Sequence, residues 1–231
     1  IKIMSGIVGS YFNTRGSGLV AKLGTDGQHM LSAGPGKSNV FETAAGGGSW
    51  NLIKSLTASG DATLSFVNGT DDVVIDTTYN VYCFTFSFIH PQTLNASFQF
   101  NVSDDAGSNY DLEKTQHTYR AWNSEANSSG APTDSTFKLA NDTGVALLNQ
   151  NVGNTAGDEC CSGCFWLYNP GSTTFVKMYE SQNLMYHSSD YIYAHVVTGY
   201  VNDTAAVDAV QFSFSSGNID AGVISLYGIT K

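Results

Sequence analysis

Positive charge is scarce in this chain. Its 231 residues carry 10 Lys+Arg against 20 Asp+Glu, a formal net charge of −10. A protein that grips nucleic-acid phosphates needs a basic patch, so nucleic-acid binding is excluded as the main activity. Long apolar runs are missing too. Nothing approaches the ~20 residues that cross a bilayer as a helix, and no membrane insertion is expected. The opening Ile1–Phe12 is too short and too glycine-rich for the apolar core of a signal peptide, and a first residue of Ile instead of Met reads as a trimmed or partial product. No apolar stripe of period 3.6 persists for as long as about ten residues, which leaves amphipathic helices out. The G-x-S-x-G, H-E-x-x-H and G-K-[ST] signatures are absent, so neither an enzyme activity nor a cofactor is expected.

What the chain has in quantity is glycine and aromatic side chains: 24 Gly, 12 Tyr and 13 Phe, within 42% apolar and only 13% charged residues. That is a folding composition biased towards strands and turns. Residues 1–48 are dense in glycine, from Gly6 to Gly46-Gly47-Gly48, and show no sustained apolar alternation. Each glycine adds backbone entropy and no apolar area, so this segment needs sister copies or other proteins to order it. Ala44-Ala45-Gly46-Gly47-Gly48-Ser49 reads as a joint.

From residue 49 onward short alternating segments recur between turn clusters. In 79–88, Tyr82, Phe84, Phe86 and Phe88 fall on one face; in 96–102, Ala96, Phe98, Phe100 and Val102 do, with Ser97, Gln99 and Asn101 on a wet face. Val210, Phe212 and Phe214 alternate with Gln211, Ser213 and Ser215. Further strands are expected at 50–56, 62–67, 73–75, 116–122, 135–139, 145–148, 164–168, 173–180, 190–200 and 222–229. This many strands with polar-out alternation predict an all-β fold, an antiparallel β-sandwich of jelly-roll type over residues 49–231. The glycine-rich segment 1–48 precedes it.

Two stretches carry a resemblance. Gly24-Thr25-Asp26-Gly27-Gln28-His29-Met30-Leu31-Ser32-Ala33-Gly34-Pro35-Gly36, followed by Phe41-Glu42, resembles the linker before the C-terminal domain of bacteriophage tail-fibre-like proteins. Val210-Gln211-Phe212-Ser213-Phe214-Ser215-Ser216-Gly217-Asn218-Ile219, closing with Leu226-Tyr227-Gly228-Ile229, resembles the final hairpin of a domain in marine phage virion proteins. Trp50-Asn51-Leu52-Ile53-Lys54 and Leu167-Tyr168-Asn169-Pro170 look like that domain's first strand and a mid-domain strand end. The resemblance implies a virion surface protein made in the host bacterial cytoplasm. Such a protein is a homotrimeric fibre or spike tip that attaches to host glycans, or a capsid-decoration protein, joined to other virion proteins through its N-terminal segment. Tail fibres carry a long trunk before this linker; here about two dozen residues precede it, which implies a trunk that is absent or lies outside this chain.

Within the polar middle of the chain, Tyr110, Tyr119 and Trp122 are the candidate glycan-binding residues. Aromatic faces stack on sugar rings, and loops projecting from a sandwich are where such residues sit. Asp104, Asp105 and Asp111 offer oxygen ligands of the kind calcium takes, but lack EF-hand spacing and read first as a solvated turn, so no metal is expected. Cys161-Ser162-Gly163-Cys164 supplies one C-x-x-C pair where a structural zinc needs two, so Cys160, Cys161 and Cys164 read as free or locally bridged thiols. His29, His90, His117, His187 and His195 are scattered and read as structural. N-x-S/T sequons at Asn68, Asn95, Asn101, Asn127, Asn141 and Asn202 would suit a secreted lectin; in an Asn-, Ser- and Thr-rich phage chain they arise by chance. A polysaccharide depolymerase on the same sandwich is the enzymatic alternative, and needs two carboxylates fixed across a cleft.

Overall fold

Side chains that alternate between aromatic and small polar types form extended strands, and most of the strands expected from the sequence lie in two antiparallel sheets packed as a sandwich. The computed structural model describes residues 28–31, 40–43, 49–134, 138–155, 157 and 159–230. The chain divides into two compact units, Ile1–Ser49 and Trp50–Lys231. In the first, β1 (Gln28–Leu31) pairs antiparallel with β2 (Val40–Thr43), Gln28 opposite Thr43. The rest of the glycine-rich segment lies outside the described residues.

The second unit runs β3 (Trp50–Ala58), β4 (Thr63–Val67), β5 (Val81–Pro91), β6 (Phe98–Ser103) and β7 (Lys114–Ser124). It continues with β8 (Ser129–Asp134), β9 (Leu139–Asp142), β10 (Ala146–Leu147), β11 (Cys161–Tyr168) and β12 (Lys177–His187). It ends with β13 (Tyr191–Val201), β14 (Ala209–Phe214) and β15 (Ile219–Ile229). A nine-stranded sheet has the order β3-β15-β5-β11-β12-β13-β7-β8, with β9 also on β7; a four-stranded sheet has the order β10-β6-β14-β4. The pairing is nested. β3 pairs β15, β4 pairs β14, β5 pairs β11 and β6 pairs β10, all antiparallel. The remaining strands come from two insertions, β7–β9 after β6 and β12–β13 after β11, which meet along β13 and β7 and widen the large sheet.

Between the sheets lies an aromatic core centred on the fully buried Phe212 of β14. Its ring centroid is 5.2 Å from Phe86, 5.3 Å from Phe84, 5.9 Å from Phe98 and 6.2 Å from Phe165. The neighbours come from both sheets, so this ring joins them, mostly by edge-to-face contacts.

Several expectations change in three dimensions. Phe88 leaves the inward face of β5: its φ is +54°, it is 72% exposed, and Ile89 beside it is fully buried. The register of β5 slips at this point against both β11 and β15, so a bulge reverses the phase of the strand. Gly222 of β15 permits the approach, since a Cβ there would lie 2.7 Å from the Phe88 carbonyl oxygen. Gln99 and Asn101, expected on a wet face, are buried. The irregular segments after β6 and β9 cover that side of the small sheet, with the Asn101 amide donating to the carbonyls of Tyr110 and Thr143. Residues 73–75 form no strand, although Val73 and Ile75 are buried in the core. Of the expected strand 135–139, residues 135–137 lie outside the described residues.

Under the widened part of the large sheet the core turns polar. Lys114 and Lys177 are fully buried on one cross-strand row with Val201. Lys114 Nζ donates to Asn101 Oδ1 at 2.5 Å and to the Leu112 carbonyl at 2.6 Å; Lys177 Nζ donates to the carbonyls of Asp203 and Ala205. These bonds offset the desolvation of the two ammonium groups and tie loops to strand ends. Burial still lowers both pKa values, that of Lys114 to about 8. Further along, Arg120 lies 5.3 Å from the centre of the Tyr193 ring and donates to Gln150 Oε1 at 2.7 Å. His195 stacks on Tyr193, and burial, assisted by Arg120, pushes its pKa down to about 4.

Two outcomes are expected. Phe212→Ala removes the ring shared by both sheets and costs about 3–5 kcal/mol, read by chemical denaturation. His195 titrates at about 4 in the folded chain against an ordinary value of 6.5, so unfolding takes up a proton across that window and stability falls as pH drops from 6.5 to 4. His187, lowered by burial, adds in the same direction. His195→Gln flattens the fall; denaturation midpoints measured between pH 4 and 7 check it.

Candidate functional site

Because the large sheet has more strands than its partner, its outer face is a broad surface whose side chains follow from register. One row across it reads Leu52, Tyr227, Cys83, Trp166, Glu180, Thr198 and His117. Cys83 points outward here, yet is fully buried. Its two cross-strand neighbours, Trp166 and Tyr227, hold the Trp50 indole edge-on at 5.3 Å and 5.6 Å, so an aromatic cluster forms on the side of the sheet to which the thiol points. Burial pushes the Cys83 pKa up to about 12.

Beside this aromatic cluster is a groove of about 880 Å³, bounded by Tyr168, Phe175, Met178, Glu180, Thr198 and Thr204. Tyr168 ends β11 and Glu180 follows the start of β12. Their side chains meet at the floor, Tyr168 OH donating to Glu180 Oε1 at 2.7 Å. Burial, reinforced by that carboxylate, pushes the Tyr168 phenol up to about 12. The wall is the 169–176 connection. Asn169 N donates to the Asn80 carbonyl at 2.7 Å, Ser172 N to the Asn169 carbonyl at 3.0 Å, and Ser172 Oγ accepts from the backbone of Thr174 and Phe175. At Gly171 the backbone packs directly on Asp76 and Thr77. A loop pinned at both ends presents Phe175, 70% exposed, opposite Met178, 62% exposed. Glu180 is the one charged group among the described lining residues.

The residues singled out from sequence do not converge. Tyr119 is on the outer face of β7, in a row with Val196, Gln182 and Cys164, and 41% exposed. Trp122 is three residues further along the same strand and therefore on the opposite face, half-buried, its ring 5.0 Å from Tyr191 and packed over Gly130. Both fall in the expected strand 116–122, now part of β7, whose alternation sends them to opposite faces instead of onto one binding surface. Tyr110 is in the segment that covers the small sheet, its hydroxyl over Gly107, and burial raises its pKa. Asp104, Asp105 and Asp111 are exposed, and Asp105 is engaged within its own turn. It accepts from Ser103 Oγ at 2.6 Å and from the Asn109 backbone and side chain at 2.9 and 2.6 Å, bonds that lower its pKa to about 2. Among the described residues no group of three or more His, Cys, Asp or Glu side chains is placed to hold a metal. None of the four cysteines forms a disulfide.

The groove itself was hidden by an expected strand over 173–180, which would have set Phe175 into the sheet. The signal pointing the other way is Asn169-Pro170-Gly171-Ser172, a turn cluster long enough to delay β12 to Lys177. Comparison of the chain with family profiles, with curated proteins and with solved structures gives no match.

Trp50→Ala is expected to uncover Cys83. In a chain whose other cysteines are replaced by serine, the Cys83 thiol resists alkylation under native conditions and reacts at least about tenfold faster once the indole is gone, because thiol reactivity follows access and thiolate fraction. Mass-spectrometric labelling rates measure it.

Proposed function

We propose that this chain is a bacteriophage virion surface protein, a fibre- or spike-like homotrimer that attaches to host surface glycans. The observation that carries the attachment role is the outer-face groove, where Phe175, Met178 and the Tyr168–Glu180 bond form an amphipathic concavity beside the Trp50, Trp166 and Tyr227 rings. Exposed aromatic surface of this kind is kept on a folded domain where a ligand or partner uses it.

The virion assignment draws on the linker at 24–36 and on the closing segments of β14 and β15, whose residues resemble phage virion domains. The nested pairing supports a jelly roll. First strand with last, second with second-last and so on inward is the order produced by rolling one long antiparallel ribbon into two sheets, and the widening insertions leave it intact. The trimer is what the resemblance implies, and the glycine content of residues 1–48, short of apolar area to order a single copy, supports a segment ordered by sister copies. That segment is then the connection to the rest of the particle.

Capsid decoration without a receptor uses the same architecture but gives the groove no task. Depolymerisation is less favoured: hydrolysis of a glycosidic bond by the common route needs two carboxylates, and Glu180 is the one carboxylate among the described lining residues.

Native mass spectrometry of the full chain is expected to show a species at three times the 24.6 kDa protomer mass. A stable monomer at micromolar concentration would overturn the trimer, and antibodies to the chain that fail to label intact particles would overturn the virion assignment.

A further inference from the structure

We infer that the groove at Phe175, Met178 and Glu180 binds a neutral hexopyranose, plain or N-acetylated, at the exposed end of a glycan. The inference rests on the glycan-attachment reading and narrows it to one site and one charge class.

Size comes first. At about 880 Å³ the groove falls within the ~300–1,000 Å³ of small-ligand sites, large enough for one or two sugar rings. Its lining is two-sided. Phe175 and Met178 expose apolar surface from the wall and from β12, while Glu180, Thr198, Thr204 and Asn169 place acceptors and donors around them. A pyranose has the same division, with C–H groups on one ring face and hydroxyls around the edge. An all-apolar ligand would desolvate the Glu180 carboxylate with nothing to replace water; a sugar hydroxyl can donate to it. Tyr168 holds only Oε1 and fixes the carboxylate in place, so Oε2 can receive a hydroxyl without reorganisation.

Charge then selects among sugars. No Lys or Arg is among the described lining residues, the Glu180 carboxyl accepts a hydrogen bond from the Tyr168 phenol, and the whole chain carries a formal −10. Uronic, sialic, sulfated or phosphorylated rings would place a second anion next to Glu180 with no cation to pair them. Like charges brought together in a partly desolvated site repel, and the net field of the chain adds to the effect.

The chain supplies its own reporters. It has four methionines, of which Met178 is exposed in the groove and Met185 on the same strand is 1% exposed on the inner side. With 13C-methyl methionine in the full chain, titration with neutral gluco-, galacto- and N-acetylglucosamine oligosaccharides is expected to shift Met178 and leave Met185 in place. Sialyllactose and oligogalacturonate should leave both unchanged. Phe175→Ala weakens the neutral ligand about tenfold through lost stacking. Glu180→Gln weakens it several-fold and narrows the gap between neutral and anionic sugars, a change that loss of folding would not produce. Tyr119→Ala, on the same face and outside the groove, leaves affinity as it was. If neutral glycans bind and Phe175→Ala and Glu180→Gln are silent, the groove assignment is overturned while attachment stands. If anionic glycans bind at the groove as tightly as neutral ones, the charge argument is overturned. If no glycan of either class binds the folded full chain, the attachment reading falls and this inference with it.

Discussion

Strand β15 is an interior strand of the large sheet. β15 is hydrogen-bonded along one side to β3, the opening strand of the sandwich, and along the other to β5. A sheet built this way closes its ladder between strands far apart in sequence, Trp50 of β3 pairing with Ile229 of β15. The same holds in the small sheet, where β14 lies between β6 and β4 and brings Phe212 into the middle of the aromatic core. Most stabilising contacts are therefore between residues far apart in sequence, the class of topology that folds slowly for its size and unfolds as a unit.

The insertions that widen the large sheet set up both of the molecule's distinctive regions. On the inside, β12, β13 and β7 extend past the strands that could cover them with aromatic side chains, and the interior there is filled by Lys114, Gln116, Ser181, Asn183 and His195. The two buried lysines donate to backbone carbonyls there, and the loops that supply those carbonyls are consequently part of the fold and not decoration on it. On the outside, the same widening enlarges a face that no second sheet of the Trp50–Lys231 unit covers among the described residues. Trp50 packs edge-on against Trp166 and Tyr227 on part of that face, while the 169–176 connection leaves Phe175 and Met178 uncovered. The groove thus arises where a loop, and not another sheet, forms the wall.

Much of the strand content was legible because alternation is a local property. Strands β5, β6, β13, β14 and β15 each show in the order of large and small side chains, and the two-sheet class follows from their number. Where reading failed, a neighbour had overruled the local pattern. Phe88 continues the alternation of Tyr82, Phe84 and Phe86 on paper, but Gly222 across the ladder allows a bulge that turns it outward. Gln99 and Asn101 look like a wet face until the segments after β6 and β9 fold over them.

What the amino-acid order determined by itself was composition-level chemistry and local geometry: an acidic chain, strands of period two, and a glycine-rich stretch over residues 1–48. Only the tertiary structure decided which aromatic residues share a surface. Tyr119 and Trp122 are close in sequence and lie on opposite sides of one strand, whereas Trp50, Trp166 and Tyr227 are far apart in sequence and touch. Proximity along a strand fixes a side chain's face only relative to its neighbours; the hydrogen-bonded register with distant strands fixes what it meets there, and that register is a property of the assembled sheet.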